Sequence, residues 1–214
     1  PYEAYWLASS FTLWKLRTPR EGKVLMFYNQ QLIDALSHEV HVFDNEMILD
    51  PYFQNMVTGI YHGKFNKSKD GYKRSLAQVT ANTLQGKMCE LGCYELCGIE
   101  YEWNNFNEAD RDSYAVDLSA FGLNIEIKSV KPFYKEFYIP KRAHKTLQNN
   151  IKEKKITTIV VCDYEQEDHD WGIRPRWIVN PQTFDDYLKQ SNYDSWAYDI
   201  KKSKHAGDTI ELDY

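Results

Sequence analysis

Residues 156–163, Ile-Thr-Thr-Ile-Val-Val-Cys-Asp, form an unbroken β-branched and apolar run bounded by polar residues. A strand that is apolar on both sides of its pleat has to be covered on both sides. This run therefore calls for a layered α/β architecture with itself at the centre. Helices to cover it are legible upstream. One opens at Ser75, a capping residue, and stops at Gly98. On it Gly86, Cys89, Glu90, Cys93 and Cys97 fall on one face and Leu84, Met88 and Leu91 on the other, which predicts burial on both sides. A second helix is expected from Pro140 to about Lys155, with Ala143, Leu147 and Ile151 as its buried stripe. At 214 residues the chain is long enough for one domain with a real core.

Between these helices the spacing predicts two strands, 114–118 and 123–130, reversed at Phe121-Gly122 because glycine tolerates the backbone angles a tight turn needs. A further strand is expected over 99–106. Alternation puts Glu126 and Lys128 on one face of the second hairpin strand, with Ile125, Ile127 and Val130 expected on the other. If the hairpin pairs, Asp117 and Glu126 converge at one edge with Lys128 a step further along. Oxygen donors of this kind suit a hard divalent cation. An E-x-K triplet alone is common on solvated strands; the upstream acid at the right distance sets this one apart. Glu90, on a helix covered on both sides, needs a partner, either a neighbouring Lys or Arg or a metal.

Asp117 followed by Glu126-Ile127-Lys128 resembles the D…(D/E)xK signature of the PD-(D/E)XK nuclease superfamily, which includes restriction endonucleases, Holliday-junction resolvases and exonucleases. Gly86-Lys-Met-Cys-Glu90 is similar to the G-x-x-x-E of its first core helix. Val116 stands where the name-giving proline would be, at a position that varies in such enzymes. The resemblance covers residues 75–163 and implies a restriction-endonuclease-like core in the order helix, three strands, helix, strand: a central mixed sheet flanked by helices. Residues 1–74 would be an N-terminal helical extension packed on that core, and 164–214 a C-terminal extension of the same domain.

The activity implied is that of a Mg2+-dependent deoxyribonuclease, endonuclease more than exonuclease, with Mn2+ as a substitute metal. Asp117, Glu126, Glu90 and the backbone carbonyl of Ile127 would hold the metal. Glu90, Asp117, Glu126 and Lys128 would form the catalytic set, Lys128 positioning the water. Gln148 resembles a helix glutamine that some members use near the site, although Lys152 stands where a tyrosine would follow. RNA stays open as a substrate, and a homodimer, common in the family, as an assembly. The other reading is a nuclease-like fold serving as a non-catalytic nucleic-acid-binding or structural component of a larger assembly.

A net charge of -5 argues against indiscriminate coating of nucleic acid but leaves room for a local basic groove. Lys64, Lys67, Lys69, Lys73 and Arg74, interleaved with Phe65 and Tyr72, suit a phosphate clamp with aromatic contacts, or else a solvated loop. Lys141, Arg142 and Lys145 crowd the first turns of the second helix, where the family's substrate backbone passes. The cysteines at 89, 93 and 97 recur every four residues and lack C-x2-C spacing, so they read as core packing and not as an iron–sulfur site. No apolar run is long enough to span a bilayer and no charged-then-apolar leader opens the chain, which predicts a cytoplasmic protein.

P-loop, H-E-x-x-H and nucleophile-elbow patterns are missing from the sequence. Toward the N-terminus a helix is expected over 24–36, a short strand over 41–43 and a proline-led helix over 51–61. After the central run come an acidic loop over 165–170, a strand over 171–179 and an amphipathic helix over 181–190. The tail ends in the basic cluster Lys201, Lys202, Lys204 and His205.

Overall fold

The apolar run sits where its composition demands, inside a six-stranded mixed sheet. The structure is a computed structural model that describes residues 27–63, 66, 72–101, 116–132, 134, 136–191 and 195–213. In chain order, α1 (Gln30–Leu36) is capped by the Asn29 side chain, which accepts the Leu32 N–H. Then follow β1 (Val40–Phe43), α2 (Asn45–Leu49) and α3 (Pro51–His62), the last capped by Asp50 with proline in its first turn. The long helix α4 (Leu76–Leu96) opens with a reciprocal capping box between Ser75 and Gln78. Gly98 follows its end in the left-handed region, at φ 65°.

Strands β2 (Leu118–Ala120) and β3 (Leu123–Val130) form a hairpin. Its turn residues Phe121 (φ 53°) and Gly122 (φ 77°) are both left-handed, the twist that two-residue hairpin turns favour. Next come β4 (Phe137–Pro140), α5 (Lys141–Lys152), β5 (Thr158–Glu167) and β6 (Asp170–Val179). A 3-10 turn (Pro181–Tyr187), β7 (Leu188–Gln190), β8 (Ser195–Tyr198), α6 (Ile200–Ala206) and β9 (Thr209–Glu211) complete the order.

The main sheet runs β1-β6-β5-β3-β2, with β9 also paired to β6. Among the described strands only β3 and β5 are parallel, and α5 lies in the connection between them, as a parallel pair requires. A small second sheet runs β4-β8-β7. Successive β5 residues enter two different cores. Val160 and Cys162 face α4, with Val79, Met88, Cys89, Cys93, Ile125, Ile127 and Ile173. Ile159 and Val161 face the other way, with Val130, Phe137, Leu147, Trp177, Phe184 and Tyr198. The rings of Phe137 and Phe184 stack on Tyr198 at 5.0 and 4.8 Å. Each fully buried aliphatic or aromatic side chain contributes about 1.5–3 kcal/mol. The first core also takes in Leu32, Leu36 and Phe53, so the N-terminal helices pack on the same hydrophobic body.

Several expectations are corrected. In the first hairpin strand, expected over 114–118, Val116 and Asp117 stand outside the ladder and pairing with β3 covers Leu118–Ala120; residues 102–115 lie outside the described ones. The strand expected over 99–106 has no strand conformation in its described residues, 99–101. Val130 shares the face of Glu126 and Lys128, as strict alternation requires, and joins the second core. Ala143 is exposed, and on α5 Leu147 carries the buried contact. The expected helix over 24–36 begins at Gln30, and that from Pro140 ends at Lys152. The acidic loop over 165–170 shrinks to Asp168-His169, its flanks extending β5 and β6. In place of an amphipathic helix, 181–190 forms the 3-10 turn and β7. Among the described residues no helix is long and apolar enough to cross a membrane.

The four cysteines are free thiols; Cys89, Cys93 and Cys162 are buried, and Cys93 Sγ lies 3.4 Å from Cys162 Sγ. Packing of α4 on β6 is closest at Gly92, where an added Cβ would lie 2.8 Å from Ile173 Cβ. That β-branched neighbour is fixed by its own strand and cannot swing aside. Gly92→Ala is therefore expected to destabilise the protein by about 1–3 kcal/mol, and Gly92→Val by more. Urea unfolding midpoints measure this; a neutral Gly92→Val would show that the helix can lift off the sheet freely.

Candidate active site

Asp117 leaves the ladder in a specific way. Its N–H donates to Ile125 O at 3.1 Å, while its carbonyl turns away to accept the Tyr94 hydroxyl of α4 at 2.9 Å. The Ile127 N–H, which the β2–β3 register would set opposite Val116, is met instead by a side chain: Asp117 Oδ2 accepts it at 2.7 Å. Within a strand, the N–H and C=O of one residue point to the same side. The Ile127 carbonyl therefore faces the same edge of the sheet as Asp117, just beyond the end of the three-residue β2.

Glu126 and Lys128 project from the β3 face opposite Ile125 and Ile127 and are ion-paired with each other. On α4, Glu90 is ion-paired with Lys87 one turn earlier. All four side chains are largely but not fully covered: 14% exposed for Glu126, 16% for Glu90, 20% for Lys87 and 29% for Lys128.

The electrostatics show that these pairs share one field. Burial, with Asp117 next in weight, lifts the Glu90 carboxyl from its ordinary 4.5 to about 7, against the pull of Lys87 and Lys128. Glu126 is raised for the same first reason, burial, with Lys128 pulling back and Asp117 pushing further. Burial works against the charge on Lys128, but Glu126 and Asp117 outweigh it and raise its pKa. Lys87 is likewise raised, burial being overcome by Glu90, Tyr101 and Asp117. Burial also raises the Tyr101 hydroxyl, whose hydrogen bond with Lys87 and field from Lys87 act in the opposite direction.

The structure thus brings Glu90, Asp117, Glu126 and Lys128 into one cluster and adds Lys87, Tyr94 and Tyr101. Lys87 was open to discovery in the sequence, since it stands three residues before a glutamate on a long helix. The two tyrosines carried no such signal.

The donors suit a hard divalent cation in kind: carboxylate oxygens, a carbonyl at the same edge, and a carboxyl under strain from its neighbours. They are not gathered as a cage. Among the described residues no group of three or more His, Cys, Asp or Glu side chains is arranged to hold a metal ion. Glu90 and Glu126 each hold an ammonium group instead, so loading a cation requires at least one of those contacts to give way.

The expected nucleic-acid contacts are scattered. Lys64, Lys67 and Lys69 lie outside the described residues, as does the side chain of Arg142. Lys73 sits over the Tyr61 ring at 4.7 Å, and Arg74 Nε donates to the buried Asn66, whose amide donates to the carbonyls of Tyr61 and Arg74. Lys141 lies over the Trp196 ring at 5.7 Å and Lys145 is exposed. Gln148 is not brought into the cluster: its amide donates to Asp185, which also meets His144 Nε2 at 2.7 Å.

An arrangement the sequence reading passed over lies on β6. A bulge opposite Val161 and Cys162 brings Arg174 and Arg176, flanking Pro175, within 3.3 and 3.4 Å of Asp163.

Compared with known proteins, the chain matches no family model, no curated protein and no solved structure.

A raised carboxyl pKa means that the folded chain keeps a proton which the unfolded chain has already released between pH 4.5 and about 7. Stability of the metal-free protein is therefore expected to fall as pH rises through that window, by on the order of 1–3 kcal/mol. Glu90→Gln should flatten this slope. Urea midpoints at about pH 5 and about pH 8 compare the two proteins; equal slopes would mean that Glu90 does not titrate there.

Proposed function

We propose that the protein is a metal-dependent deoxyribonuclease of the PD-(D/E)XK type, with a restriction-endonuclease-like core, cutting DNA internally more than from its ends. The observation that carries this reading is the hydrogen bond from the Ile127 N–H to Asp117 Oδ2, which sets the aspartate beside Glu126 and Lys128. Asp117, Glu126 and the Ile127 carbonyl would hold Mg2+ or Mn2+, with Glu90 supporting them from α4. Such an ion, when bound, polarises the scissile phosphate and lowers the pKa of the attacking water.

The chain's own groups do the rest. Lys128, released from Glu126, orients the water by donating to its oxygen and offsets negative charge that develops on the phosphate. Its raised pKa suits this role, because the ammonium stays charged at neutral pH and the group is a donor only. Lys73, Arg74, Lys141 and Lys145, together with Lys64, Lys67, Lys69 and Arg142, would hold the phosphate backbone. Gln148 would take part only after leaving Asp185.

Incubating plasmid, linear and branched DNA, with matched RNA, in Mg2+, Mn2+ or chelator tests the reading. Cleavage is expected with metal and none with chelator. Asp117→Asn retains an oxygen to accept the Ile127 N–H, so the hairpin should persist while cleavage drops on the order of 100- to 1,000-fold. Lys128→Ala should lose a comparable amount. Full activity in either variant would rule this site out, and tight DNA binding without any cleavage by the native chain would favour a non-catalytic component.

A further inference from the structure

Lys87 has no part in the reading above, yet it is built into the site. It comes from α4, the helix that carries Glu90, and its ammonium engages the Glu90 carboxylate directly. It hydrogen-bonds Tyr101 and stands in the field of Asp117 as well. Being only 20% exposed, it is not a surface lysine that happens to find an acid. An exposed pair of this spacing would contribute little and exchange freely with water. A covered one holds its place because removing either partner leaves an uncompensated charge away from solvent.

The balance of charge then becomes specific. Among the described residues, and with the carboxyls ionised as ligands of a cation must be, Glu90, Asp117 and Glu126 face two ammonium groups (Lys87, Lys128), leaving one net negative charge. One divalent cation turns this into one net positive charge, which a single phosphodiester neutralises. A second divalent cation would leave two excess positive charges in a poorly solvated site even with the phosphodiester bound, and unpaired charge there is costly. It would also need oxygens of Glu90 that Lys87 already engages.

We infer that Lys87 takes the place of a second metal ion, restricting this site to one divalent cation per chain. The inference rests on the nuclease reading of the same cluster. Lys87 acts through Glu90 and is a positioning residue; it sets how many ions the carboxylates accept.

Counting bound Mn2+ tests it without any reference to cleavage. The full chain, without DNA, is titrated with Mn2+ while the free ion is followed by electron paramagnetic resonance. One Mn2+ per chain is expected for the native protein and for Lys87→Arg, and two for Lys87→Met. Should Lys87→Met fail to fold, Lys87→Gln, which can still donate to Glu90 without the charge, is expected to bind two. Two ions on the native chain, or one on a folded chain lacking the Lys87 charge, overturns the inference while leaving the metal site standing. No bound Mn2+ at all overturns both the inference and the nuclease reading.

Discussion

A single hydrogen bond, from the Ile127 N–H to the Asp117 carboxylate, decides where the sheet ends and what stands at its edge. Had Val116 and Asp117 kept the β2–β3 register, β2 would continue as far as Ile127 and cover that edge of β3. Because the chain leaves the ladder at Asp117, whose carbonyl meets Tyr94, the ladder closes with a side chain, and a carboxylate is left at the margin of the sheet. The Ile127 amide keeps an acceptor and the Asp117 carbonyl a donor, so the exchange costs little in hydrogen bonding. Asp117 to alanine would leave the Ile127 amide without its acceptor, a loss of about 1–3 kcal/mol that has nothing to do with chemistry. Asparagine is the informative replacement for that reason.

Around that edge the structure sets desolvation against pairing. Three acids drawn together away from water cannot all stay ionised without help, and the result is visible in Glu90, pushed up to about 7. The two lysines are the help, one for each glutamate, and they arrive from different elements, α4 and β3. Buried pairs of this sort are poor devices for stability, because the desolvation they suffer offsets most of their attraction. A hydrophobic cluster would hold α4 to the hairpin more cheaply. The surrounding cores supply the stability these charges do not, and perturbed groups gathered in this way are what the proposed chemistry would use.

The parts of this fold that could be read directly from the sequence are those whose pattern is set by one local rule. The run at 156–163 announced a doubly covered strand, the Ser75–Gly98 segment a capped helix, and Phe121-Gly122 a tight reversal; all three stand in the structure. What escaped depends on partners distant in the chain. The start of β2 moved to Leu118 because Tyr94, 23 residues earlier, captures the Asp117 carbonyl. Residues 165–167, Glu-Gln-Glu, became strand because β6 returns alongside them and Arg174 meets Asp163 and Glu165. Val130 was an error of parity alone, since β3 alternates without a bulge. Of the site, Glu90, Asp117, Glu126 and Lys128 were legible as residue types at meaningful spacings. That Lys87 would be the partner of Glu90, and that Gln148 would be held by Asp185, depend on rotamers and tertiary neighbours that no spacing encodes.

The topology gives a reason why the proposed chemistry would gather at this margin. The parallel pairing of β3 with β5 forces the chain to leave the sheet through α5, and among the described residues the other side of β3 is paired only with the short β2. Beyond Ile125 that side of β3 has no β2 residue paired to it, and the backbone of Ile127 faces outward. β3 is paired along one side to the buried run of β5, and beyond Ile125 its other side carries the Asp117 carboxylate and the outward-facing Ile127 backbone. Order comes from β5, the free margin from the brevity of β2, and charge from α4, β3 and Asp117 together. Lengthening β2 by the two residues that would restore regular pairing through Ile127 would close the edge and displace the Asp117 carboxylate from the Ile127 N–H, so the free margin and its charge stand or fall together.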